Sequence, residues 1–194
     1  MKLVIIKYNA GNIRSVSFAL ERLGIDFVIS GDPEEIMRAD KIIFPGVGEA
    51  STTMRYLRER KLDLVIKELK QPVLGICLGM QLLCTHSEEN DTTCLGIFEP
   101  EVKRFVPTAD LKVPHMGWNR LQVMESWLDS ALNNLEVYFV HSYYVPVNED
   151  TSAVTDYTAP FSAAMHRNNF YAVQFHPEKS AMAGELVLKS FLQI

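Results

Sequence analysis

The chain has 194 residues, 47% of them apolar and 22% charged, enough apolar material for one sizeable core, so a single domain over residues 1–194 is expected. Its formal charge of −5 comes without a basic block, since "VKRF" at 102–105 is too short to track phosphates, and no apolar run approaches the roughly 18 to 20 residues that span a bilayer, so neither nucleic acid nor membrane is expected as a partner. Three cysteines, Cys77, Cys84 and Cys94, in a chain large enough to fold without staples suggest reduced thiols in a cytoplasm; without a C-x-x-C or H-x-x-x-H pair, no metal or cofactor is expected.

Along the chain, "LVII" (3–6) is a continuous apolar run of the kind found in strands covered on both faces. "KYNAGN" follows it too soon for a secretory leader. From Asn12 to Leu23 the apolar residues Ile13, Val16, Leu20 and Leu23 recur at helical spacing, and Gly24 can stop the helix. "DFVIS" (26–30) reads as a strand, and "DPEEIMRA" (32–39) as a short helix capped by Asp32 with Pro33 in its first turn. "KIIF" (41–44) is a buried strand ended by "PGVG". Helical pattern runs from Ala50 to about Lys70, broken near Lys61. "PVLGI" (72–76) is the next strand, and "LGMQLLCT" starts the helix after it. This alternation predicts an α/β fold with a mostly parallel sheet flanked by helices, its functional loops at the carboxyl ends of the strands.

The second half differs. "RLQVM" (120–124), "EVYFVHSYYV" (136–145), "SAVTDY" (152–157), "FSAAMH" (161–166) and "FYAVQFH" (170–176) are short and rich in aromatic or β-branched residues. They predict an antiparallel or mixed extension of the sheet. A last helix, 183–192, packs back on it.

Gly75-Ile76-Cys77-Leu78-Gly79 has the spacing of a nucleophile elbow with cysteine in place of serine. Small residues two before and two after allow a sharp strand-to-helix turn that projects the side chain into a cleft. The positive end of the following helix favours thiolate, and the backbone N–H of Leu78 is free to donate to an oxyanion. Buried structural roles are the simpler reading for Cys84 and Cys94. Among the five histidines, His176 ends a strand and is followed by Pro177 and Glu178. In extended chain, residues two apart share a face, so Glu178 can reach the imidazole and orient it as the third member of a triad. The alternative is a strand end with exposed polar residues. "FPGVGEA" (44–50) offers the backbone N–H groups of Gly46 and Val47 beside the thiol. A dinucleotide loop is the competing reading of Gly46-Val47-Gly48, but Ser51 stands where a third glycine is needed.

Together "PGVG", "GICLGMQLL" and "FHPEKS", in this order and spread over the chain, resemble the flavodoxin-like class I glutamine amidotransferases. The resemblance implies that Cys77 attacks the side-chain amide of glutamine, His176 protonates the leaving ammonia and then activates water on the thioester, and Glu178 orients His176. It implies that Gly48, Gln81, Glu89, Ser142 and Tyr143 hold glutamine. "YNAGNIRSV" and "PHMGWN" (114–119) resemble the branch whose members are glutaminase subunits of imidazole glycerol phosphate synthase. As bare sequence, "PHMGWN" is only a polar turn carrying an aromatic. The resemblance implies a heterodimer with a (β/α)8-barrel cyclase, partner-facing Asn12, Trp118, Tyr138 and Lys179, and ammonia channelled to the cyclase's nucleotide substrate in histidine biosynthesis. It departs in Asn9, where glycine is commoner. A glutaminase feeding another acceptor (anthranilate or aminosugar), a stand-alone γ-glutamyl cysteine hydrolase and a regulatory subunit with a fossil site are the alternatives.

Overall fold

Strand and helix alternate through the first half in the order β1 (Leu3–Ile6), α1 (Ile13–Arg22), β2 (Phe27–Ser30), α2 (Pro33–Met37), β3 (Lys41–Gly46), α3 (Ala50–Glu59), α4 (Leu62–Glu68), β4 (Val73–Cys77) and α5 (Leu78–Leu83). The structure, a computed structural model, describes residues 1–9, 12–124 and 127–194. Ala10 and Gly11 of the opening "YNAGN" string lie outside the described residues.

The continuous apolar runs behave as strands covered on both faces: every residue of β1, β3 and β4 is buried. The local signals also act where expected. Asp32 caps α2, its side chain accepting from the Glu34 N–H at 2.9 Å. Gly24 adopts φ +68 beyond α1, and Lys61 at φ +56 separates α3 from α4.

After α5 the elements shorten: β5 (His86–Ser87), β6 (Thr92–Thr93), β7 (Glu101–Arg104), β8 (His115–Arg120), β9 (Gln122–Val123), β10 (Glu136–His141), β11 (Tyr143–Tyr144), β12 (Thr151–Asp156), β13 (Pro160–Arg167), β14 (Phe170–Val173) and α6 (Ala181–Leu192). The main sheet has eight strands in the order β2-β1-β3-β4-β14-β13-β12-β9. Pairing is parallel from β2 through β14 and antiparallel from β14 to β9, the mixed extension expected of the second half.

Alternate residues of the parallel strands feed two cores. Leu3, Ile5, Ile43 and Leu74 pack with α1 and α6 on one face, while Val4, Ile6, Ile42, Phe44 and Val73 pack with α3, α4 and α5 on the other. Among the described residues no helix is long and apolar enough to cross a membrane.

Two expectations need correcting. "PHMGWN" is not a turn: residues 115–120 form β8, paired antiparallel with β10 so that His115 faces His141 and Trp118 faces Tyr138. "RLQVM" is not one strand: Arg120 ends β8, and Gln122 and Val123 form the short β9. His115 and Asn119 of β8 point inward while Met116 and Trp118 point outward, which disguises it as a turn: His115 is buried, whereas Met116 and Trp118 are exposed.

Candidate active site

Because β3 and β4 pair in parallel with Gly46 opposite Cys77, the "PGVG" segment and the thiol leave the sheet side by side. Cys77 holds φ 54, ψ −109, a strained conformation for a residue with a side chain, at the junction of β4 and α5. The two flanking glycines are needed to different degrees. A Cβ on Gly79 would fall on the Phe44 carbonyl oxygen, whereas one on Gly75 would meet the Leu83 Cδ1 atom at 2.8 Å. The first contact is with backbone and cannot yield; the second is with the tip of a side chain, backed by the Gly79 and Met80 backbone at 3.1 Å.

His176 follows β14 in an extended conformation, and Glu178 lies on a single 3₁₀ turn, Pro177–Lys179. Here the sequence expectation is corrected in its means. The carboxylate reaches the imidazole by a turn and not along extended chain, with Nδ1 at 2.7 Å from Glu178 Oε1 and both side chains 1% exposed. Asn12, left-handed at φ 74 just before α1, leaves the helix end uncapped by its side chain and donates its amide to the same oxygen of Glu178. The partner-facing residue of the sequence reading thus also braces the carboxylate.

His176 Nε2 is buried and makes no hydrogen bond of ordinary geometry among the described residues, yet Cys77 is near enough to act on it electrostatically. Burial by itself would lower the imidazole's pKa. Cys77 and Glu178 outweigh it and raise the value to about 10, so the ring is held as a cation at neutral pH.

These groups open on a cavity of about 340 Å³. Val47, Gly48, Cys77, Leu78, Gln81, Glu89, Ser142, Tyr143 and His176 line it, so the structure gathers most of the sequence-named residues into one place. Gly46 is not in the wall but beneath it, where an added Cβ would crowd the Tyr8 hydroxyl (2.7 Å) and the Gly79 N–H (2.8 Å). Gln81 has spent its amide hydrogens on the wall, donating to the Tyr143 carbonyl and to Gln174 Oε1, both at 2.9 Å. Only its oxygen remains to offer a ligand. Glu89 Oε2 accepts from the Ala50 N–H at 2.8 Å, which ties this carboxylate to the segment after Gly48. Burial raises its pKa, the Ala50 bond counters that, and Glu49 nearby adds to the rise.

Trp118, Tyr138 and Lys179 form a patch at the same end of the sheet. Trp118 is 52% exposed and meets Tyr138 edge to face at 6.0 Å, and Lys179 Nζ sits 5.7 Å over the Tyr138 ring. Tyr138 is tied directly to the triad's chain, its carbonyl accepting from the His176 N–H at 2.9 Å.

Three residues of the site escaped the sequence reading. Gln174 donates to Cys77 Sγ at 3.7 Å, His141 lines the cavity, and the Tyr8 hydroxyl donates to the Pro45 carbonyl under the "PGVG" segment. The period of two from His176 back to Gln174 was the one available signal. Burial, reinforced by Cys77, pushes the Tyr8 phenol far above its ordinary range and keeps it a donor. Tyr8→Phe is therefore expected to cost about 1–2 kcal/mol in urea unfolding. An unchanged midpoint would show that the segment does not depend on this bond.

The titrations predict opposing pH limbs. A raised histidine contributes stability that is complete below its unfolded value and lost as pH climbs through the folded one; for His176 that window runs from 6.5 to about 10. Burial lowers His115 to about 4 and, against the Tyr143 hydrogen bond, His141 to about 3, so their contribution is complete above 6.5 and drains as pH falls. The urea midpoint should peak near neutrality; a steady rise from neutrality to about pH 9 would contradict the His176 assignment.

Comparison with known proteins agrees with this geometry. The family described as glutamine amidotransferase class-I matches residues 5–193. The chain is 61% identical to imidazole glycerol phosphate synthase subunit HisH of Bacteroides fragilis (strain YCH46), over 100% of each chain. It is 47% identical to the protein of the same name from Vibrio cholerae, over 98% of each. A crystal structure of a glutamine amidotransferase shares the fold with a TM-score of 0.76 at 21% identity, covering 98% of this chain and 97% of that one. An elbow thiol, a histidine–carboxylate pair and a match running almost from end to end make the chain a member of the class-I glutamine amidotransferase family.

Proposed function

We propose that the chain is the glutaminase subunit of imidazole glycerol phosphate synthase, acting in the cytoplasm as a single glutamine amidotransferase domain over residues 1–194. Cys77 Sγ attacks the side-chain carbonyl carbon of glutamine, and the oxyanion that forms is held by the backbone N–H groups of Leu78 and of the Gly46–Val47 segment. His176 Nε2 gives its proton to the departing nitrogen, the C–N bond breaks, and a γ-glutamyl thioester and ammonia result. The now neutral imidazole takes a proton from water, which attacks the thioester and releases glutamate and the thiolate. Glu178 fixes the ring through Nδ1 and stabilises it as a cation, with Asn12 holding that carboxylate in turn. Glu89, Ser142, Tyr143, Gly48 and the Gln81 oxygen surround the amino-acid end of glutamine.

The ammonia goes to a (β/α)8-barrel cyclase subunit bound as a heterodimer over Trp118, Tyr138, Lys179 and Asn12. There it combines with the ribonucleotide precursor to give imidazole glycerol phosphate and the aminoimidazole carboxamide ribonucleotide. The meeting of Cys77 and His176 at one cavity, with Glu178 on the far nitrogen of the imidazole, in a chain whose relatives bear that subunit's name over their full length, carries this reading. A free glutaminase would waste glutamine, so the Gly46–Gly48 donors are expected to be fully arranged only with the liganded partner. Glutamine hydrolysis should be slow for the chain alone, faster with the cyclase subunit, and fastest with the cyclase and its nucleotide. Equal rates in all three states would favour a stand-alone γ-glutamyl hydrolase instead.

A further inference from the structure

Two buried histidines that the mechanism does not use, His115 on β8 and His141 on β10, face each other across the strand pair. Their hydrogen bonds leave no freedom in where the protons sit. His141 Nδ1 lies 2.7 Å from the Tyr143 carbonyl, which can only accept, so Nδ1 carries a hydrogen. Burial keeps both rings neutral, with one N–H each. His141 Nε2 is therefore bare and accepts, at 3.1 Å, from His115 Nδ1. His115 Nε2 is bare in its turn and accepts from the Asn119 amide at 3.3 Å. Both rings are thus the Nδ1–H tautomer, the less common form of a free neutral histidine.

Neither ring can turn away. His115 is stacked between Phe139 (4.8 Å) and Tyr157 (4.0 Å), and His141 is wedged against Phe105 (5.3 Å) and Phe161 (5.2 Å). The chain of donors ends at the Tyr143 carbonyl, the acceptor that also fixes Gln81, and Gln81 leads through Gln174 to Cys77.

We propose that His115 and His141 are positioning residues, a tautomer-locked imidazole pair that fixes the Tyr143–Gln81 wall of the cavity and ties it to β8, the strand whose outer face carries Trp118. The proposal rests on the glutaminase reading for its kinetic arm only. Loss of the pair should let the Tyr143 carbonyl drift and weaken glutamine binding, while Cys77, His176 and Glu178 keep their own contacts. Asparagine at 141 retains an N–H where Nδ1 stood, so it should restore most of what phenylalanine, of similar bulk, removes.

The test uses the chain in complex with its cyclase subunit and glutamine as substrate, with wild type, His141→Phe, His141→Asn and His115→Phe. The expected result is a KM for glutamine raised about tenfold in His141→Phe with kcat changed less than about threefold, and near-wild-type KM in His141→Asn. His115→Phe should fall between. Independently of activity, nitrogen-15 NMR of the free wild-type chain should show His115 and His141 as Nδ1–H tautomers at neutral pH. An Nε2–H form at either ring, or an unchanged KM in a folded His141→Phe, would overturn the proposal. Should His141→Phe fail to fold, the tautomer signals and the His115→Phe KM decide it on the same terms. A wild-type complex that hydrolyses no glutamine would instead sink the functional reading, leaving the tautomer result to judge the pair.

Discussion

Cys77→Ala is expected to leave a folded protein whose glutamine hydrolysis falls about 10⁴-fold or more, because no other group in the cavity can form the thioester. The variant removes one sulfur and its weak bond from Gln174, and it keeps a side chain at the strained φ of 54. Stability should therefore change little. Cys77→Gly makes the same point from the other side. Glycine accepts φ 54, ψ −109 without the steric penalty, so this equally inactive variant should unfold about 1–2 kcal/mol harder than Cys77→Ala. Such a gain would show that the backbone at the elbow is held in place by its surroundings for the sake of the thiol. Equal stability of the two would show that the turn stores no strain. Urea unfolding of both, alongside a glutamate-release assay, measures the whole set.

Gly79→Ala should be the most damaging conservative change to the fold. Its Cβ would fall on the Phe44 carbonyl oxygen of β3, so α5 must lift from the sheet or β3 must bend. The expected cost is about 3 kcal/mol or more, enough to make a domain of ordinary stability poorly soluble. Gly75→Ala is the milder comparison: its Cβ would meet the tip of Leu83 at 2.8 Å, which can rotate, and the Gly79 and Met80 backbone at 3.1 Å, which must give by only a few tenths of an ångström; about 1–2 kcal/mol is expected there. If both cost the same, close helix–strand approach is not what the second glycine serves. Circular dichroism melts and urea midpoints of the soluble fractions distinguish the outcomes.

The parts of the fold that were legible are those in which local pattern and tertiary environment agree. β1, β3 and β4 are continuous apolar runs because both their faces are covered, and Asp32, Gly24 and Lys61 punctuate the chain by their own backbone chemistry. β8 was hidden for the opposite reason. Its inward positions, His115 and Asn119, are polar because they hydrogen-bond with each other and, through His115, with His141, while Met116 and Trp118 turn outward. Polarity alone then reads the strand inside out.

The site divides the same way. Cys77 announced itself through glycines two residues away, and the His176–Glu178 pair through adjacency, although the carboxylate arrives by a 3₁₀ turn. Gln174, His141 and Tyr8 act on residues 97, 2 and 37 positions away, and the first and last of these contacts exist only once the sheet is assembled. Asn12 sits 166 residues from the carboxylate it braces, so no local pattern could assign it there.

The most direct test of the account is covalent trapping at the sulfur. A γ-glutamyl electrophile, such as the diazoketone analogue of glutamine, is added to the complex with its liganded cyclase, and the digest is read by mass spectrometry. One adduct per chain, on the peptide carrying Cys77, blocked by excess glutamine and much slowed in His176→Asn, is the predicted result. An adduct on Cys84 or Cys94 with Cys77 free, or turnover surviving in Cys77→Ala, would contradict it.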